Sequence, residues 1–289
     1  MATLRDLKRQ IASVQNIAKV TEALQTVSAV HFRKAEARVK RARPYAENVK
    51  QMMRDVARSA GGSSPLLTGR GGDRVAIASV TADRGLAGGF NAQVLRKTMQ
   101  LRVEKGGNSI QVASGRKAVA FFRFRRIDLV EVYSGFSDSP TYENAREIGH
   151  DLTGLFNEEE ADEVYLVYNR FESALTQRPI VTRLLPVAPE EGEEEDDEDG
   201  ASSFIEYIPG ADVILRKLVP RYVETMVWQA LLESAAGEHG ARMTAMKNAT
   251  DNANDLSKEL TLAMNKARQA QITREISEIA AGAEALSAG

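Results

Sequence analysis

The last quarter of the chain, Arg221 to Gly289, contains no proline and carries apolar residues at helical spacing almost to its end. After Met246, the residues Ala249, Ala253, Leu256, Leu260, Ala263 and Ala267 follow in steps of three or four, the seam of a coiled coil. The phase slips near Ile272, and Ile276, Ile279, Ala283 and Leu286 resume it. At about 1.5 Å per residue, one helix over this segment extends roughly 100 Å, several times the diameter of a small domain. Such an element cannot fold back into a compact globule.

A lone amphipathic helix gains little from propensity and depends on packing, so this stripe needs a partner. The other end of the chain supplies one. Met1 to Arg43 holds neither proline nor glycine and places Leu4, Leu7, Ile11 and Val14, then Ile17, Val20, Leu24 and Val27, at steps of three and four. The two sets join by a three-residue step where a strict heptad wants four, a stammer that overwinds the coil locally. The simplest closure pairs the first and last helices as an antiparallel coiled coil with one domain looped out between them. Many seam positions are Ala or Ser, which lets the two backbones approach closely.

Composition bounds the rest. With 43% hydrophobic residues over 289 positions a real core is available. The absence of cysteine excludes disulfides and thiolate metal sites and fits a reducing compartment. No run approaches the ~18 apolar residues of a membrane span, and the start, MATLRDLKRQ, has no apolar signal region. His31, His150 and His239 are scattered along the chain, and a surface or structural role is expected for each. Charge is unevenly divided. Glu190 to Asp199 holds nine acidic residues, whereas Met1 to Ala60 holds thirteen basic against five acidic ones, a balance of +8. A basic helix of this kind faces nucleic acid, anionic lipid or an acidic protein ring, or is simply solvated.

In chain order, Pro44 kinks the first helix, which continues to about Arg58 and ends at Gly61 to Pro65. Strands are expected at Val75 to Val80, Ser109 to Ala113, Ile127 to Tyr133, Glu163 to Tyr168 and Ile180 to Val187. Helices are expected at Ala92 to Val103, Lys117 to Phe124 and Asn144 to Phe156. This alternation gives an α/β domain with a mostly parallel sheet of about five strands. The last two strands, joined without a helix, form an antiparallel pair at one edge. The acidic tract Glu190 to Gly200 reads as a disordered insertion, Phe204 to Ile208 as a short edge strand, and Asp212 opens the final helical pattern, with Pro220 in its early turns. The expected division is therefore residues 1–60, first coiled-coil helix; 61–210, central α/β domain including the acidic tract; and 211–289, last coiled-coil helix.

The most site-like stretch is Thr81-Ala82-Asp83-Arg84-Gly85-Leu86-Ala87-Gly88-Gly89-Phe90-Asn91, between the first strand and a helix. Glycine-rich loops at helix starts bind phosphates through converging backbone N–H groups. This one is neither G-x-G-x-x-G nor a loop ending in G-K-[ST], so a tight structural turn is the stronger reading. No G-x-S-x-G and no H-E-x-x-H is present, and no carboxylate pair stands in a setting for acid–base work. No cofactor and no metal is expected.

The final helix is more distinctive. Arg242 to Ala253 (RMTAMKNATDNA) followed by Leu260 to Ile279 (LTLAMNKARQAQITREISEI) closely resembles the C-terminal signature of the F-type ATP synthase gamma subunit family. The resemblance extends to Ser13-Val14-Gln15-Asn16 with Lys19-Val20-Thr21, and to Asp83-Arg84-Gly85-Leu86 with Gly88-Gly89-Phe90-Asn91, and so covers the whole chain in order. It implies a non-catalytic rotor. The terminal helices would form a shaft in the bore of three alpha and three beta subunits, with the central domain at its foot beside the epsilon subunit and the c ring, and the delta subunit in the same complex. Ion flow through the c ring would turn the shaft and drive the catalytic sites on the beta subunits through successive nucleotide affinities.

The resemblance maps a polar beta-subunit contact onto Arg268, Gln269 and Thr273, with Arg242 and Lys247 lower on the same helix. It places Asp83, Arg84, Gly85, Gly88 and Gly89 in a turn near the epsilon subunit and c ring. The Gly237 and Gly240 pair reads as the softest place in the last helix. Glu22, Leu24 and Ala87 stand where the family commonly has Lys, Met and Cys. Without cysteine, the thiol switch of chloroplast members is impossible. With no transit peptide, the resemblance implies a bacterial member, peripheral on the cytoplasmic side of the cell membrane and attached only through the complex. Two rivals stand beside this: a nucleotide-binding α/β enzyme with coiled-coil arms, using Asp83 to Asn91, and a nucleic-acid binder using the basic first helix. Few aromatics accompany those charges and no reader motif is present, which argues against nucleic acid.

Overall fold

Helix α1, Leu4–Ser59, runs through Pro44 without ending. A short α2, Pro65–Thr68, leads to β1, Val75–Val80. The chain then alternates through α3 (Phe90–Glu104), β2 (Ser109–Ser114), α4 (Arg116–Phe124), β3 (Glu131–Tyr133), α5 (Tyr142–Asn157), β4 (Glu163–Phe171) and β5 (Gln177–Leu185), and ends in α6, Ala211–Ser287. This computed structural model describes residues 3–59, 65–107, 109–187 and 211–287. The expected acidic tract and the strand at Phe204 to Ile208 lie outside the described residues. Two compact units emerge, Met1–Val27 with Met243–Gly289, and Ser28–Arg242.

The larger unit holds a five-stranded sheet in the order β3-β2-β1-β4-β5, parallel except for the antiparallel pairing of β4 with β5. The strict alternation of a pleated strand sorts the two faces. Ala76, Ala78 and Val80 of β1 and Leu166 of β4 face a core filled by Val49, Met53 and Val56 of α1, Ile148, Leu152 and Phe156 of α5, and Leu215, Val219, Val223 and Val227 of α6. Val75, Ile77 and Val167 face Val94 and Leu101 of α3, and Ala113 meets Phe122 of α4. The expected strand at Ile127 to Tyr133 is shorter. Ile127 and Leu129 pack on the α4 cluster instead of pairing, which accounts for their apolar character, and β3 begins only at Glu131.

Within this unit α1 and α6 pack antiparallel. His31 stacks on His239 with ring centroids 5.1 Å apart, and Arg38 lies over Trp228 at 5.6 Å, so numbers fall on one helix as they rise on the other. The glycines of α6 are contact points here rather than soft joints. A Cβ on Gly240 would lie 3.0 Å from the Ala174 carbonyl oxygen, and one on Gly237 would lie 3.0 Å from the Phe90 ring. Close approach, not flexibility, is what those positions require.

In the smaller unit the seam differs from the expected one. The covered positions of α1 include the expected Leu4, Leu7, Ile11, Val14 and Leu24, but Ala18 and Thr21 replace Ile17 and Val20, and from Leu4 to Thr21 steps of three and four alternate without a stammer. Ala18 is 8% exposed, whereas Val20 is 59% exposed and Ile17 and Val27 also face outward. On α6 the stripe is Met246, Ala249, Ala253, Ser257, Leu260, Met264 and Ala267, with the expected Leu256 and Ala263 outside it. Small residues win the seam because they bring the backbones together: the Thr21 and Thr250 hydroxyls share a hydrogen bond at 2.6 Å, one donating to the other, and the hydroxyl that accepts donates to a carbonyl of its own helix, Ile17 or Ala18 for Thr21 and Met246 for Thr250.

Candidate functional site

The signature loop after β1 is held from below by the sheet. The Thr81 N–H and hydroxyl both donate to the Ser114 carbonyl, at 2.8 and 3.1 Å, and the hydroxyl accepts from the Ala118 N–H at 2.9 Å. Gly115, with φ of 95°, passes so close that a Cβ there would fall 2.2 Å from the Thr81 carbonyl oxygen. Only glycine fits. Asp83 ties three turns together. One carboxylate oxygen accepts from the Arg116 N–H at the start of α4 (3.0 Å), and the other from the Gly135 and Ser137 N–H groups (2.8 and 3.1 Å). The chain is thereby its own anion at that helix N-terminus. Asn91 accepts from the Ala82 N–H at 2.8 Å, Gly88 takes φ of 55°, and Gly89 stands at the N-cap of α3. Arg84 is exposed and pairs with Asp138 at 3.6 Å. Leu86, unremarked in the motif, combines φ of 62° with strong exposure, an arrangement rare outside glycine.

Helix α6 closes this loop from the side. Sheet order reverses direction between β1 and β4, the place where open α/β sheets hold ligands at the carboxyl ends of their strands. Here that crevice is occupied. Asn169 of β4 donates to the Phe90 carbonyl at 2.9 Å, Ala241 packs on Ala82, Ala87 and Phe90, and Gly237 abuts the Phe90 ring. Arg242 donates to the Gly85 carbonyl through Nε and Nη2, both at 3.3 Å, and to Glu238 at 2.6 Å. Among the described residues no three carboxylate or imidazole groups gather as a metal site.

Arg242, expected at a subunit contact, is held by groups of its own unit. It is 9% exposed and committed to an internal pair with Glu238, itself 1% exposed. Burial holds the Glu238 carboxyl above its ordinary pKa despite the opposing guanidinium. His239 is next to it, Nε2 3.2 Å from the Asp138 carbonyl oxygen, and burial holds its pKa below the ordinary imidazole value. Two of the three scattered histidines thus meet in space. Glu238 and Arg242 stand four residues apart amid the small residues Ala235, Ala236, Gly237 and Gly240, and that pattern is the signal for a buried ion pair in a tightly packed helix.

The remaining expected contact residues lie apart from this loop. Lys247, Arg268, Gln269 and Thr273 are all exposed on α6, Gln269 and Thr273 one turn apart on one face. Around them Leu262, Ile272, Ile276 and Ile279 are exposed apolar residues.

Residues 3–286 match the family model described as ATP synthase. The ATP synthase gamma chain of Rubrobacter xylanophilus is 68% identical over 290 residues, with 100% of each chain covered. That of Pelotomaculum thermopropionicum is 45% identical, with 99% of this chain and 100% of the relative covered. Among solved structures, a chain of the Euglena gracilis mitochondrial ATP synthase OSCP/F1/c-ring in rotational state 3 superposes with a TM-score of 0.69 at 18% identity, covering 99% of this chain and 95% of that one. A chain of the Tetrahymena thermophila mitochondrial ATP synthase central stalk and c-ring gives 0.59 at 20% identity, covering 80% and 99%. At those identities the structural likeness is one of fold. With a family match over residues 3–286 and a relative of 68% identity covered end to end, the chain belongs to the ATP synthase gamma chain family.

Proposed function

We propose that this chain is the central rotor shaft of an F-type ATP synthase, coupling proton flow through a c ring to ATP synthesis or hydrolysis by rotation. The observation that carries the reading is the outward apolar stripe of the two-helix unit. Ile17, Val20 and Val27 of α1 and Leu256 of α6 face away from the helix pair, and Ile272, Ile276 and Ile279 are exposed on the stretch of α6 beyond Ala267, where the covered seam ends. Exposed apolar surface of this extent marks an interaction site. A bore lined by three alpha and three beta subunits is the partner, and two unlike helices give the asymmetry that three catalytic sites need to be driven differently. The chain itself does no bond chemistry, in keeping with a switch-point crevice filled by its own helix. No described helix is long and apolar enough to cross a membrane. Attachment at the cytoplasmic side of the cell membrane is through the complex.

Arg268, Gln269 and Thr273, with Lys247, form the polar grip on a beta-subunit loop in this reading. The loop bearing Asp83, Arg84, Gly85, Gly88 and Gly89 faces the epsilon subunit and c ring at the foot. The units proposed to act are the helical arms, residues 1–60 and 211–289, and the intervening domain; the acidic tract Glu190 to Asp199 brakes reverse rotation. Replacing Arg268 and Gln269 together by alanine tests the grip. Both side chains are exposed, so the unfolding free energy of the chain stays within ~0.5 kcal/mol, while ATP synthesis by the assembled enzyme falls several-fold. Unchanged synthesis would remove these residues from the contact.

A further inference from the structure

The corner formed by the end of α4 and the edge strand β3 takes part in none of the contacts proposed above. Phe124, the last residue of α4, is 88% exposed, and Val130 and Val132 are exposed beside it. Arg123, Arg126, Ile127, Asp128, Leu129 and Val132 line a recess of about 260 Å³. Between Arg116 and Ile127 the chain carries five basic residues (Arg116, Lys117, Arg123, Arg125 and Arg126) and no acidic one.

Backbone geometry singles out Arg126. The Arg126 N–H donates to the Arg123 carbonyl at 3.1 Å and the Ile127 N–H to the Phe122 carbonyl at 3.0 Å, the two bonds of a Schellman helix end. Its left-handed position, where glycine is the usual residue, is here filled by Arg126 with φ of 56°. An arginine held there is strained, and strain of this kind collects at functional surfaces. The strained residue is one of the two arginines that line the recess. Among the described residues the outer side of β3 is also a sheet edge, and such edges are docking templates.

We propose that this corner docks an acidic protein segment bearing apolar side chains between its carboxylates, with Arg123 and Arg126 gripping the carboxylates and the apolar lining and Phe124 taking the side chains between them. Arginine and aromatic residues are the types enriched in protein interfaces, and charge-assisted pairs to carboxylate are the strong, directional ones. Asp128 and Glu131, which follow the cations in the chain, repel a uniformly anionic membrane face but accommodate a patterned peptide.

The test is fluorescence anisotropy of a labelled heptapeptide of alternating glutamate and leucine with the full chain. The expected result is salt-sensitive binding, weakened at least tenfold by R123E/R126E and several-fold by F124S, with no binding of the lysine–leucine counterpart. R126G separates docking from folding: its thermal midpoint stays or rises because the strain is relieved, while peptide affinity falls several-fold. Equal binding of the lysine peptide, or affinity untouched in R123E/R126E, overturns the proposal. Arginine-dependent sedimentation with phosphatidylglycerol vesicles in the absence of peptide binding also overturns it and makes the corner a membrane surface.

Discussion

The Glu238–Arg242 pair shows how one residue is assigned by its surroundings. Removing one partner of a buried pair leaves an uncompensated charge and costs about 3–5 kcal/mol. Arg242→Ala is therefore expected to lower the unfolding free energy obtained from urea titration by that order at pH 7.5, and less at pH 5, where the raised pKa lets Glu238 take up a proton. His239 acts with the opposite sign. Its folded pKa lies below the ordinary value of 6.5, so the unfolded chain binds the proton first and stability falls as pH drops below about 6.5. Thermal melts from pH 8 to 5 check this: His239→Gln removes that part of the slope, at most about 1.4 kcal/mol per pH unit, while Glu238, identical in both proteins, cancels from the comparison. Arg242 was legible in the sequence as a motif residue but not as a buried one. Nothing in a single sequence says that Gly85, 157 positions earlier, offers it a carbonyl.

At the scale of elements, helices and strands were legible wherever one periodicity ruled. Strand β1 occupies the expected residues, Val75 to Val80, because its run is apolar on both faces and bounded by loops. The coil seam was less legible. Apolar residues mark a stripe, but Ile17 and Val20 belong to the outer face and Ala18 and Thr21 to the inner one, since the inner face needs closeness more than apolar area. The two assignments predict different mutants. Ala18→Leu overpacks a tight seam and costs about 1–3 kcal/mol, whereas Val20→Ser on the exposed side stays within ~0.5 kcal/mol. Urea unfolding of the two variants decides between the faces. The strand expected from Ile127 is shorter for a related reason: Ile127 and Leu129 pack on α4 rather than in the ladder.

For the whole molecule, the sequence pattern made the paired terminal helices and the parallel sheet legible because both are set by long-range periodicity and by alternation of elements. What fills the crevice at the strand ends was not, because it depends on where α6 crosses the sheet. A chain whose helix occupies its own ligand crevice and whose long helices turn apolar residues outward is built to move within partners. Rotation tests this most directly. The chain has no cysteine, so Val103→Cys, at an exposed position on α3, gives one attachment point for a probe. With alpha and beta subunits immobilised and ATP supplied, the probe is expected to turn in one direction through full revolutions at a rate that follows ATP hydrolysis. A probe that stays fixed, or only jitters, while hydrolysis by the same complexes continues would contradict the account.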